Sequence, residues 1–119
     1  MTTTFAGRTL NINGQSTELP WPILIATESE DVVYVLLDPD SYLADIEYSA
    51  ARRSGAPAIR NLLAFSKASQ KLWEAELPEK SDYYYKIISV EPLKANAFSS
   101  HRCELDPRTG AIVCKEFFK

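Results

Sequence analysis

The chain has one histidine and two cysteines among its 119 residues. Zinc centres draw most of their ligands from these two residue types. His101, Cys103 and Cys114, with no Cys-x-x-Cys spacing and no second histidine, leave a metal site without its donor set. The same scarcity argues against nucleophilic catalysis. A triad would need His101 beside Ser99, Ser100 or a cysteine, and neither serine sits in a nucleophile-elbow pattern. No catalytic residue, metal or cofactor is expected. Long apolar runs are missing too. The longest are residues 32–37 and, interrupted only by Lys86, residues 83–90. Both have the length of a strand, far short of the roughly 18 residues of a membrane helix. The opening MTTTFAGRTLNING has no basic segment followed by an apolar one, so no secretory signal is expected, and the reading is of a cytoplasmic protein away from membranes. Positive charge is also in short supply. Thirteen basic residues face sixteen acidic ones, for a net charge of −3, and a nucleic-acid binder draws most of its affinity from a basic face.

What is present describes an ordinary soluble domain, 45% hydrophobic and 24% charged. Its length fits a single domain over residues 1–119, able to bury roughly two-thirds of its unfolded surface without a metal or disulfide. Asn13-Gly14 lies between two strand-like stretches, 9–12 and 15–19, and tolerates the positive φ angles of a two-residue hairpin turn. Residues 23–27 and 32–38 are β-branched and apolar around a polar ESED turn. From Asn61 onward NLLAF, KLWEAEL, DYYYKIISVEP, ANAFSS with HRCEL, and AIVCKEFF read as further strands. Trp73 and Phe117 are expected in the core. DYYYK puts Tyr83 and Tyr85 on one face and Tyr84 on the other, with two of the three expected to be buried. The pattern is all-β, an antiparallel meander of about eight or nine short strands, with at most one short helix near 43–51.

The segment CELDPRTGAIVC, residues 103–114, reads as a hairpin. Asp106 accepts backbone amides, Pro107 presets φ, and Gly110 supplies a left-handed conformation. This places Leu105 opposite Ile112, and Cys103 opposite Cys114. Opposite Cα atoms lie about 4.5–5.5 Å apart, so a strained disulfide is geometrically conceivable. In a reducing compartment the pair is instead read as two small apolar side chains packed together.

A related arrangement recurs about forty residues earlier, in LLAFSKASQKLWEAEL, and a weaker echo in YVLLDPDSYL. At these residues the sequence resembles the hairpins of quinoprotein-type β-propeller repeats, with an apolar residue, Asp, a Thr-Gly turn and then Trp. Cys114 stands where that family has Trp, while the earlier copy keeps Trp73 and loses the turn glycine. The resemblance implies an open twisted sheet or a sandwich of propeller-blade-like hairpins. A chain this short holds too few blades to close a propeller, which needs about four to eight. The overall layout is also similar to small acidic single-domain bacterial proteins, many of them immunity proteins that bind and neutralise a toxin.

Residues 39–60 break the strand pattern with clustered Asp, Ser, Gly and Pro. A connection of this length between strands often carries function. The carboxylates Asp38, Asp40, Asp45 and Glu47 cluster here, with Tyr42, Tyr48, Arg52 and Arg53 close by in sequence. These eight form the expected partner-binding set. Acidic groups facing a cationic active site would steer association and mask that site. The expected partner is a protein, specifically a basic toxin domain, and the expected mechanism is occlusion. Self-association through open strand edges and binding of a small molecule between sheet layers are the alternatives.

Overall fold

The computed structural model describes residues 3–118. The fold is all-β, with three open antiparallel sheets and two small helices. The first sheet contains β1 (Thr3–Ala6), β2 (Thr9–Ile12) and β3 (Gln15–Glu18). Asn13 and Gly14 take φ of 52° and 86° between β2 and β3, as a tight primed turn requires. The second sheet runs in chain order through β4 (Ile23–Glu28), β5 (Val32–Leu37), β6 (Leu62–Ser66) and β7 (Lys71–Glu74). The third runs likewise through β8 (Tyr84–Val90), β9 (Leu93–Ala97), β10 (His101–Leu105) and β11 (Ile112–Phe117).

Side-chain alternation along β5 explains the layering. Tyr34 and Leu36 enter a core shared with Ala95, Cys103 and Leu105 of the third sheet. Val33, Val35 and Leu37 point the other way, into a core with Leu10 and Ile12 of the first sheet. β6 divides in the same manner, Leu62 and Ala64 to one side, Leu63 and Phe65 to the other. The second sheet is thus covered on both faces, and its two central strands read as unbroken apolar runs because neither face meets water. Asn61, fully buried, ties the layers together. Its side-chain amide donates to the carbonyls of Leu37 and Tyr84, and its oxygen accepts the Tyr84 amide at 2.9 Å.

Eleven strands are present among the described residues, more than the expected eight or nine. β1 carries no alternating apolar signal, its residues being exposed or half-buried, and its pairing with β2 creates it. β9 and β10 are separate strands, divided by a turn in which Ser100 holds φ of 67°. The single helix expected near 43–51 is two: α1 (Pro39–Leu43) and α2 (Ile46–Arg53). Asp38 caps the first, accepting the Asp40 amide at 3.0 Å ahead of Pro39. Asp45 caps the second, accepting the Tyr48 amide at 2.8 Å. A capping carboxylate at 45 starts a new helix where the apolar spacing alone suggested continuity.

The two cysteines do not face each other. Leu105 does oppose Ile112, but a register shift at that pair sets Cys103 opposite Lys115 and Glu104 opposite Cys114. The extra residue turns Cys114 to the outer face, where it is exposed, while Cys103 is buried. The tyrosine expectation is also corrected: Tyr84 alone is buried, Tyr83 is half-buried and Tyr85 is exposed. Trp73 is in the core, but Phe117 is 64% exposed, because only Ile112 of β11 packs against the core between the sheets.

Candidate functional site

Both helices lie in the connection between β5 and β6, at one end of the second sheet. The eight expected partner-binding residues divide by their surroundings there. Asp38 and Asp45 are occupied as helix caps. Tyr42, expected on the docking surface, is only 1% exposed: its ring sits 5.7 Å from Trp21 and 5.2 Å from Tyr48. Burial pushes its phenol well above the usual tyrosine range. The Tyr48 hydroxyl accepts the Ile59 amide at 3.2 Å. Arg52 donates to the carbonyl of Ala56 and the hydroxyl of Ser81, each at 2.6 Å, fastening α2 to the loop that follows it and to the approach to β8. Asp40, Glu47 and Arg53 are exposed.

The feature that draws these elements into a surface is Asp82, which is 4% exposed. Its carboxylate accepts the amides of Tyr83 and Ser99 at 2.9 and 3.1 Å and the Ser99 hydroxyl at 2.6 Å. The approach to β8 is thereby clamped to the turn after β9. Phe98 donates its amide to the Tyr83 carbonyl at 2.9 Å, and the two rings stack with centroids 5.1 Å apart. Phe98 remains 65% exposed.

This aromatic pair is a ridge between two grooves. One, of about 550 Å³, is bounded by Leu43, Tyr48, Arg52 and Arg53. The other, of about 430 Å³, is bounded by Leu24, Asp38, Asp40 and Tyr85. Tyr83 and Phe98 line both. The surface therefore carries apolar side chains at its centre, cations on one flank and carboxylates on the other. Five of the eight expected residues, Asp38, Asp40, Tyr48, Arg52 and Arg53, border the grooves. Phe98, the most exposed ring of the ridge, was missed, since a single aromatic in ANAFSS carries no periodic signal. Asp82 was missed as well, and its pairing with Ser99 spans seventeen positions.

His101 approaches Ser99 at 2.9 Å between Nδ1 and Oγ. With the Ser99 hydroxyl donated to Asp82, Nδ1 meets that oxygen as a donor, the reverse of what a general base requires. Among the described residues, no three His, Cys, Asp or Glu side chains come together as metal ligands would, and no helix is long and apolar enough to cross a membrane.

A family model described as Domain of unknown function (DUF7957) matches residues 1–117, so the chain belongs to that family. No curated protein and no solved structure matches the chain.

Proposed function

We propose that this DUF7957 member is a non-catalytic, cytoplasmic protein-binding module that docks its partner on the Tyr83–Phe98 ridge. The observation that carries the reading is the stacked pair of exposed Phe98 and half-buried Tyr83, anchored by the hydrogen bonds of Asp82 and flanked by two grooves. Protein interfaces concentrate their energy in such preorganised aromatic anchors, surrounded by a polar rim. The Asp38 and Asp40 flank, beside Tyr83 and Tyr85, suits a lysine or arginine of the partner, which gains both a carboxylate and an aromatic face. The narrower reading is an immunity protein that occludes a basic toxin domain.

The chain serves as bait in its native cells, and the recovered partner is then expressed alone. Growth arrest by the partner, relieved by co-expression of the chain, is the expected result. A partner with no effect on growth removes the immunity reading and leaves the binding module. A second reading, self-association, is favoured by β11. It is one of the two outer strands of its sheet, and Val113 and Phe117 are 63% and 64% exposed. A homodimer by light scattering at micromolar concentration would favour that reading, and a monomer the first.

A further inference from the structure

At the end of the molecule away from the helices, the second and third sheets part around a cleft of about 870 Å³. The length of β5 separates it from the aromatic ridge by about 20 Å. Three turns form its walls: those joining β4 to β5, β8 to β9, and β10 to β11. Its floor is apolar, built from Val32, Tyr34, Leu72, Val90, Leu93 and Leu105. Tyr34, Leu93 and Leu105 belong to the core between the sheets, so the cleft opens directly onto that core. Leu72 is 48% exposed, an apolar side chain of that floor with its surface still available.

The charge on the rim is predominantly acidic. Glu30, Asp31, Glu91 and Glu104 border the cleft, against a single cation, Arg108. Arg108 is already paired with Asp106 at 3.6 Å, and Glu104 also faces Lys94 across the sheet. Glu30, Asp31 and Glu91 have no ion pair among the described residues. Carboxylates around an apolar floor repel one another until a cation sits between them.

We propose that this cleft is a second docking site, for a basic segment of a protein partner in which a lysine or arginine adjoins a large apolar residue. The apolar side chain seats on Val32, Leu72 and Val90, and the cation lies among Glu30, Asp31 and Glu91. The volume falls within the roughly 300–1,000 Å³ of ordinary binding sites and holds two side chains rather than a folded surface. This inference goes beyond the ridge reading and does not depend on it.

The test pans a random-peptide phage library against the full chain and measures the affinity of a synthetic peptide from the enriched set. The expected peptides pair Lys or Arg with Leu, Phe or Trp. Their affinity falls about tenfold in the Glu30→Lys, Glu91→Lys double variant, and Phe98→Ala leaves it unchanged. No enrichment, enrichment of neutral or acidic peptides, or binding lost through Phe98→Ala and kept by the double variant would overturn the proposal. Spermidine binding as tightly as the peptide would also overturn it, by assigning the cleft to a small organic cation. Phe98→Ala also separates the two sites: it weakens partner capture at the ridge while sparing the cleft.

Discussion

Gly110 shows how closely the layers fit. It holds φ of 76°, and a Cβ built on it would lie 2.5 Å from Cε3 of Trp73. Trp73 in turn donates its indole N–H to the Pro107 carbonyl at 2.9 Å, in the same turn. The tryptophan of one sheet is therefore seated on the bare glycine of the other. Gly110→Ala is expected to cost about 3 kcal/mol, from left-handed strain plus steric displacement in a packed site. Gly14→Ala, at φ of 86° with nothing within 4 Å, suffers the strain alone and should cost about 1 kcal/mol. Urea denaturation of both variants isolates the clash as the difference. Equal losses would mean that Trp73 moves aside freely.

The hairpin of β10 and β11 shows what a sequence reveals about an element and what it conceals. Asp106, Pro107 and Gly110 announce the turn, and the Leu105–Ile112 pairing follows from it. The shift beyond that pair does not, because a bulge depends on how the strand meets its neighbours. The same limit applied to the helices. Apolar spacing from 43 onward runs through Asp45, whose carboxylate starts α2 as its cap. The long polar connection singled out residues 38–53, and five of the eight residues expected there border the two grooves. Tyr42 was misplaced there, as sequence cannot tell a tyrosine that plugs a core from one that faces a partner. The shifted register predicts unequal thiols. Treating the native protein with Ellman's reagent should modify Cys114 promptly. Cys103, buried and with its thiol pushed up by burial, should react only on unfolding. Prompt reaction of both would contradict the bulged register.

At the scale of the whole molecule, three sheets share two cores, and several phenols are caught between or beside them. Burial raises Tyr42 and Tyr84 above the ordinary value of 10.0. Each is held neutral in the folded state, while in the unfolded chain it ionises near its ordinary value. Their contribution to stability is therefore intact below about pH 10 and declines as pH rises beyond it. Denaturation midpoints measured from neutral to strongly alkaline pH should fall above that point. Release of the raised phenols, followed by ultraviolet difference absorbance, should coincide with unfolding. Phenols that all titrate near pH 10 in a still-folded protein would contradict the buried placement.

A protein partner that docks on the proposed Tyr83–Phe98 ridge must depend on the exposed ring. The most direct test uses the wild-type chain and Phe98→Asp as parallel baits in native cells, with recovered proteins quantified by mass spectrometry. Phe98 is exposed, so the substitution leaves the core intact. One stoichiometric basic protein is expected on the wild-type bait, depleted at least about tenfold on the variant. Recovery of the same proteins at the same levels on both baits, or of no stoichiometric protein on the wild type, would contradict docking on the ridge.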